Sequence, residues 1–529
     1  MSVRTGMTHE TWWREAVIYQ VYLRSFADHD GDGVGDLPGL LGKLDYLREL
    51  GVDAVWLSPF HPSPLADFGY DVSDYTAVDP AYGTLGDFDV LVRAAHERGI
   101  RVLIDLIMNH TSAEHPWFVE SSSDRTNPKR DWYIWADPRQ SDEPPNNWLS
   151  SFERCGPAWT YQPRTRQCYL HSFTPGQPDL NWRNPEVRAA MREVWRFWLD
   201  RGVDGFRIDV AHRLMKDAEL RDNPAELAHA RRHTAHPTLR MRNLDLPETL
   251  QVLRELRGTL DEYGGKLALG EVPISDDGRL ADYFGGDGMH TAFHIAFWEQ
   301  PWRATAFRRT VDGLAARIRP GALPTYALAT HDISRTASRY GGAARARVAA
   351  MMAFSLRGIP CVYYGEEIGM SDAPPPLALD VDGRDGQRTP MQWDATGRGF
   401  TTGTPWMPVA PDQAEVNVAV QSGDPDSLLT LYRRLISFRR ASPALRTGDY
   451  RSLDAGDDVF AYLRSAPGER LLVALNFASR PATAVLPDLP AKGRADVSTG
   501  DRPAGSTVDL RPLRLEPGEG VIIRIEDRS

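Results

Sequence analysis

DGFRIDVAH, residues 204–212, is an apolar, strand-like run in which Phe206, Ile208 and Val210 alternate with Arg207 and Asp209. A carboxylate is costly to bury alone, so a run of this kind is expected to end in a solvated pocket. Arg207 and Asp209 lie two residues apart, which on a strand turns both side chains to one face. A guanidinium there favours the ionised acid. Two further apolar runs end the same way, LALGEV (267–272) at Glu271 and ALATHD (327–332) at Asp332. Three strand ends, each carrying an acid, predict a parallel barrel whose strands open onto one cavity.

The rest of the chain supports that reading. Strand-like runs recur at 16–26, 53–59, 101–110, 204–211, 267–272, 289–297, 325–332 and 361–367. Between them lie stretches of helical periodicity, such as LPGLLGKLDYLRELG (37–51) and FDVLVRAAHERG (88–99), each closed by a glycine suited to a helix C-cap. Eight such runs predict an α/β chain closed as a (β/α)8 TIM barrel, occupying residues 1–110 and 182–445. Residues 111–181, rich in Pro, Asn, Ser and aromatics, are too long for an ordinary connection and form an inserted, loop-rich subdomain after strand 3. Its Trp117, Trp132, Trp135, Trp148 and Trp159 are either a small core or stacking surfaces for sugar rings. Past the helix-like SLLTLYRRLISFRRAS, residues 446–529 carry short alternating segments, among them 458–465, 470–479 and 520–526, that predict a C-terminal antiparallel β-sandwich.

Composition limits the partners. The chain has 529 residues and a formal net charge of −11, a mild acidity that argues against nucleic acid or an anionic membrane and for a small neutral substrate. MSVRTGMTHETWWREAV lacks the apolar core of an export signal, and no run is long enough to span a bilayer, so a cytoplasmic monomer or homodimer is expected. Of the three cysteines, Cys155 and Cys168 share one segment and could pair, whereas Cys361 sits in an apolar run and reads as a buried thiol. No organic cofactor motif occurs.

Paired acids of different environment suit cleavage of a glycosidic bond. Asp209, beside Arg207, is the candidate nucleophile. Partial desolvation next to Asp209 favours the protonated form of Glu271, the candidate general acid/base. Asp332 would stabilise the transition state without bonding covalently, with His331 and His110 donating to sugar hydroxyls. In ADFGYDVSDY, Tyr70 would stack on a ring and Asp67 grip a terminal hydroxyl, with Arg388 of DGQRTPMQW clamping from the other side. A separate loop, DHDGDGVGD (28–36), has Asp28, Asp30, Asp32 and Asp36 at positions 1, 3, 5 and 9 of a calcium-type loop, with Gly33 at position 6 and the Val34 carbonyl at 7. Position 12 is Gly39, so the loop is no EF-hand; a single structural Ca2+ is expected.

Taken together, these segments resemble the α-amylase family of glycoside hydrolases, within it the oligo-1,6-glucosidase and α-glucosidase group. DLIMNH, GFRIDVAH, GEV and THD are similar to its four main motifs in order, and GDGVGDL (31–37), QPDLN (177–181) and GIPCVYYGEEIGM (358–370) to its additional ones. The resemblance implies a retaining mechanism on α-glucosides, with Asp209, Glu271 and Asp332 in the roles above and subsite contacts from Asp67, Tyr70, His110, Arg207, His331 and Arg388. QPDLN and RTPMQWD resemble the exo-acting branch. Two positions depart from the pattern or bear on linkage. Thr330 stands where the family has Asn before His-Asp, which is expected to weaken the bonds that orient His331 and Asp332. Val210, after the nucleophile, resembles the α-1,6 selector, whereas the following Ala-His resembles a maltose-cleaving subgroup; α-1,4 cleavage is favoured narrowly.

Overall fold

A computed structural model of the chain describes residues 11–230, 239–374 and 382–525. Each expected run supplies a barrel strand: β1 (Ile18–Val21), β2 (Ala54–Leu57), β3 (Arg101–Leu106), β4 (Gly205–Ile208), β5 (Leu267–Gly270), β6 (Thr291–Ala292), β7 (Thr325–Ala327) and β8 (Ile359–Tyr363). They pair in parallel in the order β7-β8-β1-β2-β3-β4-β5-β6. A parallel bridge between Phe293 and Thr325 brings the two outer strands together and nearly closes the barrel. The run 289–297 divides into β6 and a short helix, Ile295–Trp298.

Strand alternation decides what faces inward. Ile18, Ala54, Trp56, Leu103, Leu267, Leu269, Ala327, Ile359 and Cys361 form one buried cluster inside the barrel. Their neighbours of opposite parity, such as Tyr19, Val55, Val102, Phe206 and Ala268, belong to the larger core beneath the helices. The inward parity continues to polar residues at the strand ends: Gln20 after Ile18, Asp105 after Leu103, Arg207 and Asp209 on and after β4, Glu271 after Leu269. The barrel is therefore dry at one end and charged at the other. Gly205 permits β4 to sit close to β5, because a Cβ there would lie 2.2 Å from the Leu267 carbonyl oxygen.

The helix Leu85–Glu97 shows how the outer layer forms. Thr84 caps it reciprocally with Asp87, and Phe88, Leu91, Val92 and Ala95 are buried along one stripe. Such a cap contributes about 1 kcal/mol, and each large buried side chain about 1.5–3 kcal/mol. The stretch 37–51, expected as one helix, is two, Leu37–Leu41 and Leu44–Leu50, with Gly51 in the expected left-handed cap. The break lies at Gly42 and Lys43, where the Lys43 amide turns back to the Leu40 carbonyl and Lys43 leaves the helical conformation, while Gly39 within the first helix lets it lie against the Ala27 carbonyl, 2.1 Å from where a Cβ would stand.

Between β3 and β4 the chain builds a three-stranded antiparallel sheet from Trp135–Ala136, Gln167–Leu170 and Trp159–Gln162. The tryptophans serve as core. Trp148 and Trp159 stack 6.0 Å apart, Trp117 packs on Trp132 at 5.0 Å, and the Arg130 guanidinium lies 3.5 Å over Trp135. No disulfide joins Cys155 and Cys168.

Beyond the helix Leu428–Ala441, six antiparallel strands run in the spatial order 449–453, 459–466, 469–476, 520–524, 492–498 and 507–509, while 482–484 pairs with 513–515. Leu463, Leu472, Ala484, Leu513, Val521 and Ile523 share the core between the two sheets. A buried arginine seats this unit on the barrel: Arg464 donates to the Ser355 and Leu445 carbonyls, while Arg439, on the preceding helix, donates to those of Gly358 and Leu445. Residue 526, the last of the expected final strand, and residues 231–238, in the connection between β4 and β5, lie outside the described residues. Among the described residues no helix is long and apolar enough to cross a membrane.

Candidate active site

The charged end of the barrel opens into a pocket of about 1110 Å3, counting its mouth, whose lining includes Asp67, Tyr70, His110, Asp209, Glu271, His331 and Asp332. Residues widely separated in sequence meet there because each follows an inward-facing strand position.

Arg207 is the hub. Fully buried, it places Nη1 2.6 Å from Asp105 Oδ1 and 2.8 Å from Asp209 Oδ1, and Nη2 2.8 Å from Glu271 Oε2. One cation thus serves three carboxylates. This corrects the expectation that Arg207 holds Asp209 low. Burial pushes the Asp209 carboxyl well up, and the charges of Glu271, Asp105 and Asp332 add to that against the pull of Arg207. Asp105 is pushed up to about 6 by burial, although Arg207 and the Trp56 indole N–H favour its ionised form.

His331 is held between two tyrosines, stacked on Tyr70 with centroids 5.2 Å apart and on Tyr22 at 6.1 Å. Gln20 Nε2 donates to its Nδ1 at 2.8 Å, which leaves the proton on Nε2, 2.7 Å from the Tyr70 hydroxyl and 3.2 Å from Asp332 Oδ2. The Tyr70 hydroxyl donates onward to Asp105 Oδ2 at 3.2 Å. Burial lowers His331 to about 3, so the ring is neutral at physiological pH. Asp332 is held well below the usual carboxylate range: burial opposes ionisation, but the neighbouring charges prevail. With His331 neutral, Arg384 at 2.7 Å and Arg388 at 3.2 Å are the cations responsible. Arg388 also donates Nε to the His331 carbonyl at 2.8 Å. Thr330 accepts the Asp332 amide on its hydroxyl at 3.2 Å, so the turn keeps a side-chain acceptor despite the departure from Asn.

Asp67 is positioned by Asp71, whose carboxylate accepts from the Ser63 hydroxyl and the amides of Ala66 and Asp67. Its own oxygens receive Gln177 Nε2 at 3.1 Å and Arg384 Nη2 at 2.6 Å. His110, lowered to about 4 by burial, donates Nε2 to the Tyr70 carbonyl at 3.1 Å. All nine candidate catalytic and substrate residues therefore converge at this end of the barrel.

Several residues of the site were not foreseen. Asp105 was legible in principle, since it shares the parity of Leu103 inside an apolar run. Arg384, four residues before Arg388, carried no local signal. Phe152 and Phe173 come from the insertion and line the pocket, which the five tryptophans do not; the Arg384 guanidinium lies 5.0 Å over Phe152.

The expected metal loop lies apart from this pocket. Asp28, Asp30 and Asp36 bring carboxylate oxygens within 4.8 Å of one another. Asp32 lies outside that group, its Oδ1 accepting the Val34 amide at 2.7 Å.

The whole catalytic region has known relatives. Residues 20–448 match the family model described as alpha amylase, catalytic domain. A "Probable alpha-glucosidase" of Rhizobium meliloti (strain 1021) is 43% identical over 90% of this chain and 91% of its own. An "Oligo-1,6-glucosidase" of Parageobacillus thermoglucosidasius is 36% identical over 97% of this chain and 99% of its own. The solved structure of an alpha-glucosyl transfer enzyme, XgtA, superposes with a TM-score of 0.90 at 43% identity, covering 97% of this chain and 99% of that one. The chain belongs to the α-amylase family of glycoside hydrolases.

Proposed function

We propose that the protein is a retaining, exo-acting α-glucosidase that releases glucose from the non-reducing ends of maltose and short α-1,4-linked malto-oligosaccharides. The observation that carries this reading is the single buried guanidinium of Arg207 shared by Asp209 and Glu271. It sets two carboxylates side by side, as double displacement needs. Arg207 occupies Asp209 Oδ1, so Oδ2 attacks the anomeric carbon while Glu271 protonates the departing oxygen. In the second step Glu271 takes a proton from water, which attacks the same carbon and frees Asp209. Asp332 and the neutral His331 serve the ring hydroxyls, and Asp67 with Gln177 and His110 closes the inner end, which favours attack on chain ends.

The test is Asp209→Asn assayed on an aryl α-glucoside, with the anomer of the first product read by NMR in the unaltered enzyme. Turnover that survives the substitution, or release of β-glucose, would overturn the reading. Cleavage of α-1,6 links is the neighbouring possibility that the oligo-1,6-glucosidase relatives and Val210 support, and rates on maltose, isomaltose, sucrose and trehalose decide between them. Transfer of the glucosyl group to a sugar acceptor, the activity in the name of XgtA, shares the covalent intermediate; chromatography of the products separates it from hydrolysis.

We also propose that the loop 28–36 holds one structural Ca2+ through Asp28, Asp30 and Asp36, with Asp32 and the Val34 carbonyl completing the expected set. The donors are hard oxygens of the kind this ion takes. Burial pushes Asp36 up, and the charges of Asp28 and Asp30 add to it, a repulsion a divalent cation relieves. A melting temperature unchanged by a strong chelator, with no calcium by elemental analysis, would remove the ion from the account.

A further inference from the structure

The residue that follows the proposed nucleophile has an unusual backbone. Val210 takes φ 36° and ψ 47°, in the left-handed region. Leu65, Phe68, Ser141, Arg166, Leu220 and Asp245 are the other non-glycine residues with positive φ among those described, and Val210 alone of the seven is β-branched. A β-branched side chain resists this conformation, so the surroundings impose it.

The turn sends two consecutive amides to one residue. Val210 N–H donates to Glu271 Oε2 at 3.0 Å, and Ala211 N–H donates to the Glu271 carbonyl at 2.9 Å. The Glu271 amide in turn donates to the Ile208 carbonyl at 2.9 Å. Arg207 Nη2 reaches the same Oε2 at 2.8 Å. Two donors of fixed direction therefore meet on Oε2, whereas Oε1 has no hydrogen-bond partner among the described residues.

We infer that Val210 is a positioning residue whose left-handed backbone aims its amide at Glu271 Oε2, so that the proton Glu271 delivers and recovers rides on Oε1. This rests on the reading of Glu271 as general acid/base and deepens it. An oxygen already facing an N–H and a guanidinium has no room for a proton of its own. In the first step the Oε1 proton passes to the glycosidic oxygen as its bond to the anomeric carbon breaks and the bond from Asp209 Oδ2 forms. The charge left on Glu271 is then met at Oε2 by two donors that need not reorganise. In the second step Oε1 takes a proton from water as the water oxygen bonds to the anomeric carbon and the Asp209 ester breaks.

The experiment replaces the Val210 amide by an ester, incorporating α-hydroxyvaline at that position of the full chain, and compares substrates of poor and good leaving group. Expected is a loss in kcat/KM, which reports the first step, of about tenfold or more on maltose, which needs its leaving oxygen protonated, and of about twofold or less on α-glucosyl fluoride. Equal losses on both substrates in the ester variant would overturn the inference. Should that variant not fold, valine-selective 15N labelling of the unaltered protein provides the second readout. The Val210 amide signal is expected to move with the titration that governs the alkaline limb of kcat/KM, and to stay still in Glu271→Gln. A Val210 signal indifferent to that titration would equally overturn it. Absence of hydrolysis of any α-glucoside by the unaltered enzyme is a different result and removes the functional reading instead.

Discussion

Arg384 donates one nitrogen to Asp332 Oδ1 at 2.7 Å while its other terminal nitrogen lies 2.6 Å from Asp67 Oδ1. The side chain thus spans the two carboxylates proposed to receive the sugar hydroxyls, with Phe152 beneath its guanidinium. Each oxygen it holds is an acceptor that a hydroxyl must win from it, so substrate binding includes the cost of moving or sharing Arg384. Arg384→Ala removes that competitor. If the competition amounts to about 1 kcal/mol, KM for maltose falls about fivefold, with kcat less affected. Arg384→Lys, which cannot span both acids, falls between. Initial-rate kinetics on the three proteins check this, and a raised KM in Arg384→Ala would make the arginine an ordinary substrate contact.

The crowding of acids around Arg207 makes a prediction about pH. A carboxyl whose pKa is raised takes up its proton earlier as pH falls, so the loss of the ionised nucleophile starts above the ordinary aspartate range. With burial holding Asp209 well up, kcat/KM is expected to decline on the acid side already above the ordinary aspartate range. Asp105→Asn removes one of the negative neighbours that raise Asp209, so its acid limb should move to lower pH. Profiles of the two enzymes between pH 4 and 8 measure the shift; an acid limb moving upward would contradict the assignment of charges.

Which parts of this arrangement could be read from the chain depends on how local the governing physics is. Parity along a strand is local, and it turned Arg207 and Asp209 to one face, while the acids at three strand ends, Asp209, Glu271 and Asp332, pointed to a shared cavity. Turn chemistry is local too, which is why Gly51 was recognised as a cap. The upward push on Asp209 was not legible because Arg207 was assigned to a single neighbour. The partners that divide its charge, Asp105 and Glu271, arrive on β3 and β5, more than sixty residues away in each direction. Arg384 escaped for a related reason: what marks it is its approach to Asp67 and Asp332, brought by two other loops. The split of 37–51 into two helices falls at Gly42 and Lys43, a change of backbone conformation that the helical period of the apolar residues does not record.

Thr330 shows that a departure from a family pattern need not remove the interaction. Its hydroxyl accepts the amide of Asp332 and so fixes the turn that aims this carboxylate. Thr330→Ala deletes the acceptor and is expected to lower kcat/KM about fivefold, the order of one neutral hydrogen bond. Thr330→Ser, which keeps the hydroxyl and loses only the methyl, should stay within about twofold on the same argument. Kinetics on maltose distinguish these outcomes; equal losses in both variants would point to packing of the methyl group.

The insertion is tied to the barrel by an ion pair that is buried throughout. Lys216 Nζ, from the segment after β4, lies 2.7 Å from Asp179 Oδ2 and donates to Asn109 Oδ1 at 2.7 Å. Asp179 also accepts from the Ser172 hydroxyl and amide and from Asn109 Nδ2. These donors and the cation keep it below the usual carboxylate range, against the opposing effect of burial. Lys216→Met fills similar volume but strands the Asp179 charge, and breaking such a pair from one side costs about 3–5 kcal/mol. Asp179→Asn in the same chain removes the stranded charge and should recover a large part of that loss. Urea unfolding of the single and double variants measures both terms. Because Asn109 precedes His110 and Asp179 follows Gln177, the single variant should also raise KM, through displacement of the two side chains that face Asp67 and Tyr70.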